Sequence, residues 1–170
     1  ISYFDLEQFE REANLLDVML GERVFFYLRR INFVAQAISL YTAVESQVFH
    51  SYDSPAQPQR PGPPYDDDKI KFWACHILQQ EYGIQRWLAD HRIAPMMLTY
   101  EELLADIDKA IAKIADRLAV DISGRRPSDQ PQTTRITATD AIAFEQTFRE
   151  RNAEFCSKWE RARGTAPCPL

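Results

Sequence analysis

The stretch Arg23-Val24-Phe25-Phe26-Tyr27-Leu28-Arg29-Arg30 and the residues after it, Asn32-Phe33-Val34-Ala35-Gln36-Ala37-Ile38-Ser39, limit the fold more than any other part of the sequence. The first half is short and rich in β-branched and aromatic side chains, so it reads as a core strand over Arg23 to Leu28, ending in two arginines. Asn32 can cap a helix running to about Phe49, with Phe33, Gln36, Ala37, Leu40, Tyr41, Val44 and Val48 along one face. Guanidinium groups, helix N-terminal amides and the Ser39 hydroxyl then gather near the carboxyl end of a strand. Open α/β sheets bind their ligands at that end, and this set of donors suits a phosphate.

The remaining elements follow from period and punctuation. Asp5 to Leu20 places Leu6, Phe9, Ala13, Leu16 and Met19 at helical spacing, and Gly21 suits the C-cap. Residues 51–65, Ser51 to Tyr65, form a Pro-rich loop, since five of the ten prolines fall there. Asp66-Asp67-Asp68 opens an amphipathic helix with Ile70, Trp73, Ile77, Ile84 and Leu88 on one side. Ile93 to Tyr100 reads as a second strand with Pro95 near its start. Asp106 to Leu118 is the clearest helix, and Ala138 to Arg163 is the last one. Ser123 to Gln132 is polar and turn-rich. Strands separated by helices imply parallel pairing and an α/β layer architecture. Two strands are too few for a stable sheet with this much helix, so either strands are missing from this chain or the pattern conceals some.

A chain of 170 residues fits one domain, residues 1–170, and can bury a core without disulfides. The net charge of −5 argues against a general nucleic-acid binder, though not against a local basic pocket. Cys75, Cys156 and Cys168 are odd in number and form no CxxC pair, which points to a reduced, cytoplasmic setting without a zinc ribbon. No apolar run reaches the roughly 20 residues of a membrane span, and the start does not read as a signal peptide. A chain opening at Ile1 reads as processed, truncated or incompletely represented.

Several other groups were weighed for chemistry. Asp66-Asp67-Asp68 fits the acidic first turn of a helix better than a metal site. Tyr100-Glu101-Glu102-Leu103 reads as a structural device after the second strand, with Glu102 opening the next helix. His50, His76 and His91 have no metal-ligand spacing; His76 fits packing, and His50 borders the Pro-rich loop as an acceptor-side candidate. Trp73, Tyr82 and Trp87 fit core or interface better than sugar platforms. Arg125-Arg126 is either a solvated turn or a second phosphate contact. No Walker loop, GxGxxG or Gly-x-Ser-x-Gly elbow occurs.

The run Phe25 to Arg30, then Gln36-Ala37-Ile38-Ser39, Tyr65-Asp66, Ile70, Trp87-Leu88 and Thr99-Tyr100-Glu101-Glu102-Leu103 resembles the bacterial sulfotransferase family that includes trehalose 2-sulfotransferase and lipopolysaccharide sulfotransferases. The resemblance runs from about Leu6 to about Trp159. It implies a P-loop-kinase-like α/β fold, a parallel sheet flanked by helices. It also implies transfer of a sulfuryl group from 3′-phosphoadenosine 5′-phosphosulfate to a hydroxyl of a carbohydrate or glycolipid, with no metal. In that family an arginine at the strand end and a serine in the next helix hold the donor's 3′-phosphate, and Arg30 and Ser39 match them here. The family follows its arginine with a charged pair ending in aspartate, where Ile31-Asn32 stands, so Arg29 is kept beside Arg30. The family's front loop of the type Pro-Arg-Ser-Gly-Ser-Thr, and its catalytic carboxylate, have no counterpart in this sequence. The expectation is therefore the carboxyl-terminal portion of a sulfotransferase, its catalytic base unassigned. Members tend to form homodimers, which a Trp-rich helix surface would serve, and the Pro-rich loop from Ser51 to Tyr65 is a candidate for an acceptor-side wall or a dimer contact. The alternative is a non-catalytic binding or assembly module on the same scaffold.

Overall fold

The computed structural model describes Gln8 and residues 23–49, 62–124 and 140–164. The expected helix over Asp5 to Leu20, most of the Pro-rich loop, His50, Arg125-Arg126 and Cys168 lie outside the described residues, Gln8 excepted. The described elements are β1 (Phe26–Arg29), α1 (Phe33–Ser46), α2 (Asp67–Asp90), β2 (Met96–Thr99), α3 (Tyr100–Ala105), α4 (Ile107–Leu118), α5 (Ala141–Arg151) and α6 (Ala153–Ala162). The chain divides into two compact units, residues 1–30 with 76–126 and residues 31–75 with 127–170.

In the first unit β1 and β2 pair in parallel, Phe26 with Met96, Tyr27 with Met97, Leu28 with Leu98 and Arg29 with Thr99. The parallel pairing and the α/β class are as the alternation of helix and strand implies. Both strands are shorter than the composition suggests. Pro95 offers no N–H to a ladder, so β2 begins at Met96, whose amide donates to the Phe25 carbonyl at 2.8 Å. It ends where Thr99 turns to capping. The β1 strand extends one residue beyond its apolar run and takes in Arg29. Among the described residues the sheet has these two strands.

Trp87 and Leu88 of α2 are buried with Phe25, Ile84 and Ile93 packed around them. The Phe25 and Trp87 rings meet at 5.9 Å. At the end of α2, Arg92 takes a left-handed conformation (φ 54°). The Ile93 amide then reaches back to the Leu88 carbonyl at 2.8 Å, a tight exit that aims the chain into β2. Thr99 begins α3 with a full capping box: its hydroxyl accepts from the Glu102 amide, and the Glu102 carboxylate accepts from the Thr99 amide. Asp106 then ends α3 and caps α4 through the Lys109 amide.

In the second unit α1 packs on α5. Phe33, Val34, Ala37, Ile38, Tyr41, Ile70, Ala74, Phe148 and Cys156 are its buried apolar side chains. The single helix expected over Ala138 to Arg163 is two, because Asn152 leaves helical backbone geometry (φ −123°, ψ 37°). Its side-chain amide donates to the Phe148 carbonyl one turn back and to the Asp67 carboxylate, bonds that compete with helix continuation. Beyond α6, Gly164 sits at φ +65°, the left-handed position where glycine ends a helix without strain.

An ionic cluster binds this unit together. Arg149 donates to Glu160 at 2.6 Å, to Glu145 at 2.9 Å and to the Asn32 side-chain oxygen at 3.0 Å. Asn32 donates back to Glu145 at 2.7 Å. Burial works against the arginine charge, but the bonds to Glu160 and Glu145 outweigh it and hold its pKa above the usual value.

Two predictions follow from these contacts. Arg149→Ala leaves Glu145 and Glu160 facing each other without their shared cation, and is expected to cost about 3 kcal/mol by urea unfolding. A cost below about 1 kcal/mol would show that the cluster is solvated. At the capping box, the Thr99 amide and hydroxyl, then Lys113, hold the Glu102 carboxyl below its ordinary pKa. A depressed folded-state pKa gives stability that is complete above the ordinary carboxylate range and lost as pH falls through the lowered value. Glu102→Gln should therefore flatten the acid limb of a melting-temperature profile, and a limb of unchanged slope would remove Glu102 from it.

Candidate functional site

The parallel register decides what surrounds the two arginines. Arg29 is the last residue of β1 and Thr99 the last of β2, and they are partners in the ladder. The next residues along the two chains, Arg30 and Tyr100, therefore emerge side by side at the carboxyl end of the sheet. The Arg30 guanidinium lies over the Tyr100 ring, 4.8 Å from its centroid. A ring face attracts a cation through its quadrupole and fixes the plane of the guanidinium while leaving the charge in place. Both residues are half-buried.

Arg29 has a different environment. Its Nε lies 3.8 Å from Glu81 of α2, and both side chains are mostly buried. A carboxylate so placed compensates the arginine charge, as a strand-end arginine packed against a helix requires. The two candidates are thus chemically distinct in the fold, one beside a carboxylate and one against an aromatic face.

Ser39 lies in the second turn of α1 on its exposed side. Asn32 caps α1 as expected, its side-chain oxygen accepting from the Ala35 amide at 3.0 Å. The same oxygen accepts from Arg149, and Arg163 donates to the Ile31 carbonyl at 2.8 Å with its guanidinium over the Phe33 ring. The first turn of α1 is therefore held by residues more than a hundred positions further along the chain. Glu145, Arg149 and Arg163 escape a sequence reading because they look like ordinary charges on an amphipathic helix. Tyr100 was legible as part of Tyr100-Glu101-Glu102-Leu103, but its partnership with Arg30 shows only once the register is known.

The acidic run divides its work. Asp66 caps α2 through the Lys69 amide at 3.0 Å. Asp67 accepts from the Tyr65 hydroxyl and from Asn152, and pairs with Arg151 at 2.7 Å. Burial, followed by the hydrogen bond to Asp67 and then its charge, raises the Tyr65 pKa above its ordinary value, so Tyr65 stays a protonated donor to Asp67. With Tyr41 donating to the Pro64 carbonyl at 2.7 Å, these contacts anchor the end of the Pro-rich segment where it enters α2. Among the described residues there is no cluster of three or more His, Cys, Asp or Glu side chains placed to hold a metal ion. No described helix is long and apolar enough to cross a membrane.

Comparison with known proteins agrees with the residue pattern. Residues 109 positions in extent are 28% identical to a trehalose 2-sulfotransferase of Mycobacterium tuberculosis (strain ATCC 35801 / TMC 107 / Erdman), covering 64% of this chain and 40% of that protein. The chain thus spans well under half the length of that relative. The match to the Stf0 sulphotransferase family extends over residues 5–151, from the first expected helix to the end of α5. With both strands, the Arg29-Arg30 pair, Ser39 and the Tyr100 segment inside that match, the chain belongs to the Stf0 sulphotransferase family.

Proposed function

We propose that this chain carries the 3′-phosphate end of the donor site of a sulfotransferase, which moves a sulfuryl group from 3′-phosphoadenosine 5′-phosphosulfate to a hydroxyl of a carbohydrate or glycolipid. Family membership supports the reaction class, and the relative named trehalose 2-sulfotransferase supports a sugar acceptor. The observation that carries the assignment within this chain is the setting of Arg30: a guanidinium at the carboxyl end of the sheet, lying over the Tyr100 ring.

In this reading Arg30 presents paired N–H donors to the 3′-phosphate, and Ser39 adds a hydroxyl donor. Arg29 stands a close second, because the resemblance matches Arg30 to the family's strand-end arginine. The phosphate is not the reacting group. Its binding energy positions the donor so that the acceptor oxygen can approach the sulfur in line with the leaving 5′-phosphate oxygen. The new oxygen–sulfur bond forms as the old one breaks. A general base takes the hydroxyl proton, and adenosine 3′,5′-bisphosphate departs. The resemblance calls for no metal in this step. The setting proposed for the reaction is the cytoplasm, in keeping with free thiols at Cys75 and Cys156.

The test is calorimetric titration of adenosine 3′,5′-bisphosphate into the purified chain. Arg30→Ala is expected to weaken binding about 30-fold or more and Ser39→Ala about fivefold, in line with roughly 2 and 1 kcal/mol for hydrogen bonds to a charged group. Raising the salt concentration should weaken the wild type more than Arg30→Ala. Equal affinities in wild type and Arg30→Ala would overturn the assignment. Tight binding without turnover on any saccharide would move the chain to the non-catalytic module.

A further inference from the structure

The fold holds the backbones of Arg30 and Tyr100 to different degrees. Tyr100 is the first residue of α3 and follows directly on Thr99. Thr99 is fixed twice, by its place opposite Arg29 in the ladder and by the capping box it makes with Glu102. Glu102 is bonded in turn to Lys113 of α4 at 3.4 Å. The backbone that carries the Tyr100 ring is therefore tied to the sheet and to two helices. Arg30 has already left β1 and stands in the short link Arg30-Ile31-Asn32 that precedes α1, outside any helix or strand.

An arginine in such a link has a long side chain with much rotamer freedom, and an anion has to remove that freedom when it binds. The Tyr100 ring lies 4.8 Å from the Arg30 guanidinium, and both residues are half-buried. A ring face attracts a cation through its quadrupole, and the attraction strengthens as water is excluded. The ring holds the side chain in advance without itself adding a counter-charge. The contact is made by the ring face, so the tyrosine hydroxyl has no part in it.

We infer that Tyr100 is a positioning residue for anion recognition: its ring face preorganises the Arg30 guanidinium for the 3′-phosphate. This rests on the donor-site reading of Arg30 and names a second residue on which that reading depends. In this role Tyr100 does not touch the ligand. Its effect passes through Arg30, concerns the 3′-phosphate alone, and follows the electrostatics of the ring. A ring that merely fills space at the head of α3 would have none of these properties, since its loss would weaken every ligand alike.

The experiment is calorimetric titration with two nucleotides, adenosine 3′,5′-bisphosphate and adenosine 5′-monophosphate, which lacks the 3′-phosphate. The proteins are wild type, Arg30→Ala, Tyr100→Phe, Tyr100→Leu and the double variant Arg30→Ala/Tyr100→Leu, each confirmed as folded by circular dichroism. Tyr100→Leu is expected to weaken the bisphosphate about fivefold and Tyr100→Phe to stay within about twofold of wild type. The monophosphate should bind all of them alike. In the Arg30→Ala background the leucine change should have no further effect, because the group it positions is gone. Should Tyr100→Leu prove unfolded, phenylalanine and its mono- and trifluorinated forms at position 100 keep the ring while draining its quadrupole, and affinity for the bisphosphate should fall in that order. A leucine variant as tight as wild type, an equal loss for both nucleotides, a leucine effect undiminished in the Arg30→Ala background, or a constant affinity along the fluorinated series would each overturn the inference. Failure of the donor-site reading has a different signature: wild type and Arg30→Ala then bind the bisphosphate equally, whatever stands at position 100.

Discussion

The parallel pairing of β1 with β2 is the constraint on which the candidate site depends. It is a short ladder, and its register is set by Pro95 and by the capping of Thr99 at its far end. Because the strands run the same way, their carboxyl ends coincide, and residues far apart in sequence leave the sheet together. An antiparallel pair would have sent Arg30 and Tyr100 to opposite edges. A slip of one residue would have turned every side chain of the shifted strand to the other face, the buried Tyr27 in β1 or the buried Leu98 in β2 among them. The chemistry at Arg30 is therefore a consequence of register, and register is a consequence of where one proline and one threonine stand.

In the second unit a different interaction has the corresponding role. Arg149 satisfies two carboxylates and the Asn32 amide oxygen, and Asn32 in turn caps α1. A capping residue held at both its oxygen and its nitrogen has little freedom to release the helix. The cost of burying the arginine is offset by its several hydrogen bonds, which is the condition under which a buried charge becomes a specific pin. This arrangement fixes the first turn of α1, the helix that carries Ser39. It also shows how a helix without acidic residues in its first turn can begin sharply where the sequence places Asn32.

The sequence made legible what depends on neighbours along the chain. The apolar run of β1, the Asn32 cap, the acidic start of α2, the amphipathic α4 and the role of Glu102 were all readable from spacing and side-chain type, because each rests on contacts within about four residues. The family was readable for a related reason: its motifs are local strings in a fixed order. What stayed hidden depends on distant partners. Asn152 breaks the final helix by bonding Asp67, 85 positions away. The Arg29–Glu81 pair and the Arg30–Tyr100 stack require the packed fold before they exist. Charged side chains on helices look alike in a sequence, and only packing separates Arg149, whose side chain is mostly covered, from Arg151, which is exposed.

The same distinction separates the two arginines at the strand end. A phosphate-binding cation must keep its charge available in the folded protein and must be aimed before the ligand arrives. A carboxylate neighbour aims an arginine but also neutralises it, so Arg29 would have to exchange one anion for another and gain little. An aromatic face holds a guanidinium through its quadrupole without itself adding a counter-charge. Tyr100 is thus a positioning residue in this reading, and its presence after the second strand is explained by what stands at the end of the first. Two adjacent arginines that are equivalent in sequence thus have different neighbours in the fold, a glutamate beside one and a tyrosine ring under the other.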